Sequence, residues 1–216
     1  MKRRIVVAGV GCLIVGAFLA GCTTSRATPV EPRSVGSLTP THHDEDAGLV
    51  EIVPGFNLRQ YQAIIVEPFV VSPAEIKDEE DVRLANAMSR YLHAQFVGRL
   101  KLDPPLPKII DATASAEPFV AQGALILQGD ISRLTAGSQA LRYFVGFGAG
   151  SVKVQVETRL IDGNSREVKM VTADRRVAKN GPFGGDSRVF FVGFSNLIAQ
   201  GYVDLLHRLA LTSPSR

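Results

Sequence analysis

The sequence is poor in the residues on which most recognisable sites are built. It has no tryptophan, two cysteines and four histidines among 216 residues. Cys12 lies inside an apolar leader and Cys22 closes that leader. Because Cys12 leaves with the leader, at most one cysteine remains, and no disulfide is predicted in the processed chain. We therefore expect stability to come from a hydrophobic core rather than from covalent bracing.

Once the leader is set aside, the chain also lacks an excess of charge of either sign. The whole chain has 24 Lys and Arg residues against 21 Asp and Glu residues. Removal of Lys2, Arg3 and Arg4 leaves 21 residues of each sign. A balanced charge gives no support for binding to nucleic acid, so none is predicted.

The first 22 residues have the layout of a secretory signal. Three basic residues precede an apolar run over residues 5–19, which is too short and wrongly flanked for a membrane-spanning helix. The run ends in Leu19-Ala20-Gly21-Cys22, which resembles the bacterial lipobox. The resemblance implies that residues 1–21 are removed as a signal peptide and that Cys22 becomes the site of lipidation, including a palmitate. The alternative is an ordinary signal peptide that is cut nearby.

Thr23, rather than an aspartate, follows Cys22. By analogy with enteric sorting rules, this implies anchoring at the periplasmic face of the outer membrane. Residues 22–59 are rich in Thr, Ser, Pro and charge, which predicts a flexible tether with a reach of about 30 Å or more. Residues 60–211 are predicted to form a single α+β periplasmic domain, followed by a frayed tail over residues 212–216.

The hydrophobic pattern after residue 60 predicts two helices and several strands. Residues 151–160 alternate between apolar and polar, which indicates a strand whose buried face carries Val152, Val154 and Val156. Asp162-Gly163-Asn164 predicts a tight turn that leads into a second strand. Apolar residues at helical spacing predict an amphipathic helix over residues 82–100 and a second helix from about residue 187. We expect a mainly antiparallel sheet of about four to five strands, with both helices on one face.

The glycine-rich run Gly146-Phe147-Gly148-Ala149-Gly150 invites a nucleotide-binding interpretation, which its context opposes. A phosphate-binding glycine loop follows a strand and opens a helix, whereas these glycines open a strand. Gly146, Gly148 and Gly150 are therefore predicted to be structural. No nucleophile elbow surrounds Ser195, and His42-His43 lie on a segment that is not pre-organised around an ion. No catalytic residue, metal or cofactor is predicted, although Arg175-Arg176 with Lys179 leaves anion binding open.

One tetrapeptide occurs twice, as Phe144-Val145-Gly146-Phe147 and as residues 191–194. The aromatic residues of both copies outnumber what one sheet face can cover, and exposed apolar clusters tend to mark contacts. Phe144, Phe147, Phe191 and Phe194 are therefore predicted to form a surface for self-association or for another envelope protein. The alternative is that both copies are buried in the core.

Residues 137–168 combine a glycine turn, Leu141-Arg142-Tyr143, the glycine-rich run, the alternating strand and Leu160-Ile161-Asp162. This combination is similar to an uncharacterised bacterial lipoprotein family, the domain of unknown function 4410 type. The layout is also distantly similar to the periplasmic domain of curli-secretion-channel lipoproteins, whose long membrane-inserting hairpins are not found. The chain departs from the family at Gly163-Asn164-Ser165, where a threonine-glycine pair is usual. The resemblance implies an envelope lipoprotein and supplies no catalytic residues.

Two classes of function remain. The first is a non-enzymatic binding or assembly module of the cell envelope, held to the membrane by its lipid. The alternative is an envelope hydrolase, or a protein that binds a small ligand or anion, with a site that the sequence does not reveal.

Overall fold

The computed structural model describes residues 24–72, 76, 78–114, 122–136, 151–178 and 187–212. Within these residues the chain forms nine strands, two long helices and one short 3-10 helix at Leu58–Gln60. The helices are α1 (Glu79–Lys101) and α2 (Ser187–Thr212). The strands are β1 (Thr24–Ala27), β2 (His42–Asp44), β3 (Gly48–Ile52), β4 (Ala63–Val66), β5 (Val70–Val71), β6 (Lys108–Asp111), β7 (Ala124–Thr135), β8 (Val152–Asp162) and β9 (Val168–Ala178).

All nine strands belong to one mixed sheet. Its order is β2-β3-β9-β8-β7-β4-β6, with β1 also paired to β9 and β5 also paired to β7. β4 runs parallel to β6 and β7, whereas β8 is antiparallel to both of its neighbours. The predicted sheet of four to five mainly antiparallel strands is therefore wrong, although the class is still α+β. β4 and β6 are parallel because α1 connects them and returns the chain to the same end of the sheet.

The central hairpin of β8 and β9 has the predicted pattern. Val152, Val154 and Val156 are at most 1% exposed on the face that the helices cover. The side chain of Asp162 accepts hydrogen bonds from the backbone N–H groups of Asn164 and Ser165, at 2.8 and 2.9 Å, and so closes the turn.

The two helices lie side by side and run in the same direction. α1 begins at its N-cap Asp78, which accepts a hydrogen bond from the N–H of Glu80 at 2.9 Å. His207 contacts Asp103 at 2.9 Å where both helices approach their C-terminal ends. α2 is long and apolar enough to cross a membrane by composition, but 61% of its most apolar window is buried in the protein. This burial is typical of a core helix.

The predicted tether is wrong from Thr24 onward, because this part of the chain is folded into the sheet. β1 pairs with the second half of β9, and β3 pairs with its first half. The two strands therefore share one edge of β9. β1 is polar and is held mainly by main-chain hydrogen bonds, whereas β3 also buries Val50 in the core.

Between β1 and β2, the chain crosses the sheet face that the helices leave free. The backbone N–H of Val30 donates to the side chain of Gln155 at 2.8 Å, and the Gln155 amide donates back to the Val30 carbonyl at 3.0 Å. This reciprocal pair explains how a glutamine can be fully buried in β8. We call residues 28–36 the N-terminal strap.

A cluster of charges joins the N-terminal strands to β9 and α2, and we call it the N-terminal clamp. Arg26 of β1 contacts Asp174 of β9 at 3.4 Å. Arg208 of α2 contacts Asp44 at 2.6 Å and also forms an ion pair with Asp46, in the turn that joins β2 and β3. Arg26 donates to the backbone carbonyl of Asp46 as well. The clamp therefore fixes β1 and the β2–β3 turn against the core.

Two helical glycines give opposite predictions for the free energy of unfolding. A Cβ atom on Gly201 of α2 would overlap with the backbone oxygen of Asp46, whereas a Cβ on Gly98 of α1 would meet nothing within 4 Å. We expect Gly201→Ala to destabilise by about 1–3 kcal/mol, because backbone must shift. Gly98→Ala should stabilise by about 0.5–1 kcal/mol through helix propensity. Urea denaturation of the unlipidated mature chain measures both, and stabilisation by both would contradict the packing of Asp46 on α2.

Candidate functional site

The predicted partner surface is only partly within the described residues, and there it is buried. Phe191 and Phe194 are 5% and 0% exposed, and their rings meet edge to face at 6.4 Å. Their proposed exposure is wrong because α2 packs on α1 as well as on the sheet, so two surfaces cover its apolar residues. Phe144 and Phe147 lie outside the described residues. Gly146, Gly148, Gly150 and Cys22, the predicted lipidation site, also lie outside them.

An apolar groove of about 240 Å³ lies between the first halves of the two helices. Its apolar walls are Leu84, Ala87, Met88 and Tyr91 of α1, together with Phe191 and Val192 of α2. Such a lining supports contact with apolar partners, and its polar groups are the Tyr91 hydroxyl and the Arg188 guanidinium at the edge of the apolar walls.

The apolar stripe that predicts α1 does not predict this groove, because the stripe marks a single face of the helix. Leu84 and Tyr91 lie off that stripe and are seven residues apart, which places them on one second face of the helix. That spacing is the signal that could have revealed the groove. Val189 and Val192, one turn apart on α2, remain 69% and 42% exposed.

A second groove, of about 290 Å³, lies on the opposite face of the sheet beneath the N-terminal strap. It is polar. Arg33 of the strap contacts Asp130 of β7 at 2.7 Å and Glu157 of β8 at 3.1 Å. The other carboxylate oxygen of Asp130, Oδ1, is buried and accepts no hydrogen bond. Arg159, also in the lining, donates to Gln128 at 2.6 Å. Both arginines that line this groove are therefore paired, whereas Oδ1 of Asp130 has no donor.

His93 and Asp111 form a partly buried pair where β4 and β6 end. The ring of His93 contacts the Asp111 carboxylate through Nε2 at 2.9 Å and the Glu67 carbonyl through Nδ1 at 3.1 Å. Both contacts are hydrogen bonds at once only when the ring carries both protons. Thr113 adds hydrogen bonds to Asp111 from its hydroxyl, at 2.7 Å, and from its N–H, at 2.8 Å. His93 thus links α1 to the sheet.

The remaining polar candidates are also engaged within the fold. The hydroxyl of Ser195 donates to the carbonyl of Phe191 in the preceding turn of α2, at 2.8 Å. Arg176 is 8% exposed and contacts Asp174 at 2.7 Å, so it does not offer its charge to an anion. In the described part of the chain, no three His, Cys, Asp or Glu residues are grouped so that they could hold a metal ion.

A family model and several solved structures are similar to this chain. The model described as Domain of unknown function (DUF4410) matches residues 64–181, which is more than half of the chain. No curated protein matches this chain. A PelC dodecamer from Paraburkholderia phytofirmans is 17% identical with a TM-score of 0.46, and the match covers 71% of this chain and 94% of that one.

Two further solved structures are distant likenesses. Protein XCC0632 from Xanthomonas campestris is 8% identical with a TM-score of 0.44, over 74% of this chain and 90% of that one. Lipoprotein GNA1162 from Neisseria meningitidis is 14% identical with a TM-score of 0.36, over 68% of this chain and 98% of that one.

The His93–Asp111 pair predicts a pH dependence of stability. Burial by itself raises the pKa of Asp111, but hydrogen bonds from Thr113 and His93 outweigh it and hold the pKa at about 2. A carboxyl group whose pKa is lowered in the folded state stabilises the fold above its ordinary pKa, near 4, and loses that contribution as the pH falls through about 2. After allowance for solvent screening, we expect this contribution to be about 1 kcal/mol.

Urea denaturation between about pH 4 and pH 2 tests this expectation. Asp111→Asn should be less stable than the wild type at pH 7 and should lack this part of the acid-induced loss. Thr113→Val, which keeps the carboxylate and His93, should show an intermediate slope. An acid slope in Asp111→Asn equal to that of the wild type would contradict the assignment.

Proposed function

This chain belongs to the family described as Domain of unknown function (DUF4410), and we propose that it is a lipid-anchored envelope protein that acts by binding rather than by catalysis. The observation that carries the proposal is the lipobox Leu19-Ala20-Gly21-Cys22, placed behind a charged and apolar leader. Thr23 after the cysteine supports the outer membrane as its location. The domain would then lie on the periplasmic face of that membrane.

The arrangement of ionisable groups supports binding over catalysis. A general acid or base needs a lone pair or a proton that substrate can reach. In the described residues, His93 contacts acceptors through both ring nitrogens, and Ser195 donates within its own helix. The apolar groove between the helices offers contact area instead. These features favour an assembly or binding module.

The test of the lipid anchor is metabolic labelling with palmitate. We expect the wild type to be labelled and Cys22→Ser to be unlabelled, because the thioether sulfur is lost. Cys12→Ser is the matched control: it removes the other cysteine, which lies within the leader, and should label like the wild type. Label on Cys22→Ser would refute the proposal.

Density-gradient separation of the two membranes tests the location. The wild type should sediment with the outer membrane, and Thr23→Asp should move to the inner membrane by the sorting rules invoked above. Recovery of both proteins in the same fraction would contradict the assignment to the outer membrane.

A second candidate function is favoured by the polar groove beneath the strap. The unpaired Oδ1 of Asp130 lacks a donor and is buried, so a small ligand with hydroxyl or amino groups could supply one only by displacing part of the strap. Asp130 and Glu157 contribute two negative charges there, and Arg33 and Arg159 contribute two positive ones. The groove therefore favours a neutral ligand over the anion that Arg175-Arg176 suggested.

Thermal denaturation in the presence of small amines, sugars or inorganic phosphate tests this second candidate. We expect an increase in Tm with donors and none with phosphate, because phosphate would meet two carboxylates. Asp130→Asn should abolish the increase, since its amide presents a donor in place of an acceptor. An equal increase with phosphate would exclude this use of the groove.

A further inference from the structure

We propose that the end of the domain formed by the start of β1 and the first turns of α2 rests against the lipid bilayer. The chain would then dock on its own membrane surface rather than hang below it. The inference depends on the proposed function, because it requires lipid on Cys22.

The first argument is the reach of the anchor. β1 begins at Thr24, which pairs with Ala178 at the end of β9. Cys22 is two residues earlier, and an extended chain spans at most about 3.3–3.6 Å per residue. The Cα atom of Cys22 is therefore within about 7 Å of the Cα atom of Thr24. Since the N-terminal clamp fixes β1, the lipid would enter the bilayer beside this end of the sheet.

The second argument is that α2 reaches as far in the same direction. Arg26 of β1 and Gly201 of α2 lie at one level, because a Cβ on Gly201 would be 3.5 Å from Nη2 of Arg26. Val189 is twelve residues before Gly201, or about 18 Å along the helix axis. Cys22 is four residues before Arg26, or at most about 14 Å away. Both segments lead towards the end of β9, so the first turns of α2 extend about as far as the anchor.

The third argument is the chemistry of the side chains that α2 presents there. Val189 is 69% exposed and Val192 is 42% exposed, and Val192 also lines the apolar groove. Exposed apolar residues grouped beside a groove are typical of a contact surface. An anchor that holds them near acyl chains provides an apolar environment without any second protein.

The charges at this end select the kind of bilayer. α1 begins here, since Asp81 accepts a hydrogen bond at 2.9 Å from the N–H of Ala136 at the end of β7. Its first residues, Glu79, Glu80 and Asp81, and its N-cap Asp78 are all acidic. Arg188, in the first turn of α2, offsets one of these four negative charges, and anionic headgroups would repel the remainder. We therefore expect the contact to be closer on zwitterionic lipid than on anionic lipid.

Site-specific fluorescence quenching tests the orientation in the lipidated, full-length mature protein. Because lipid occupies the sulfur of Cys22, an introduced cysteine is the single free thiol. Val189→Cys probes the proposed contact. Leu102→Cys is the matched control, because Leu102 is 82% exposed and follows α1 at the opposite end. Each protein is labelled with a polarity-sensitive dye and reconstituted into phosphatidylcholine vesicles with or without brominated acyl chains.

We expect brominated lipid to quench the dye at position 189 several-fold more strongly than the dye at position 102. Adding phosphatidylglycerol to the vesicles should weaken the difference. Equal quenching at both positions would overturn the inference while leaving the anchor intact. Protection of position 189 from aqueous iodide without quenching by brominated lipid would overturn it too, in favour of a protein occupant. Failure of both proteins to float with vesicles would instead refute the anchor, and the inference with it.

Discussion

The N-terminal clamp is the interaction on which the arrangement of this domain depends. Asp174 and Arg176 are 3% and 8% exposed, so their charges are removed from water and need partners. Arg26 supplies a second partner for Asp174 and also binds the β2–β3 turn through the Asp46 carbonyl. Loss of one partner from such a cluster typically costs about 3–5 kcal/mol. The same contacts that satisfy buried charge therefore decide where the N-terminal chain lies.

The sequence predicts the parts of this fold that are stabilised by apolar faces. α1, α2 and the β8–β9 hairpin show regular periods because their buried residues recur every 3.6 or every two positions. β1 and β2 show none, because they are held by backbone pairing and by ion pairs across more than 100 residues, such as Arg26 with Asp174. β3 buries only one apolar side chain, Val50, which is too little to form a recognisable pattern. A short polar edge strand and a solvated linker therefore look alike in composition.

The predicted partner surface on α2 was wrong about which apolar residues are exposed, not about which residues are apolar. The aromatic residues of α2 are not covered by the sheet alone. The extra cover comes from α1, whose Phe96 packs on Tyr202 with ring centroids 5.2 Å apart. Helix pairing leaves four large apolar side chains of α2 exposed, at Val189, Val192, Leu197 and Leu211. Their positions follow from the parallel course of the two helices, which no local pattern encodes.

Folding of the N-terminal segment also changes what a lipid on Cys22 would do. A flexible tether of three or four dozen residues would let the domain sample about 30 Å of depth and every orientation. Cys22 lies only two residues before Thr24, the first residue of the clamped strand β1. The domain could therefore neither change its depth nor turn freely, and it would keep one face towards the membrane. Burial of a valine side chain contributes about 1.5–3 kcal/mol, too little to anchor a protein but enough to bias its orientation. The lipid would then supply affinity, the first turns of α2 would supply orientation, and the polar groove beneath the strap would remain on the flank of the sheet that α1 and α2 do not cover.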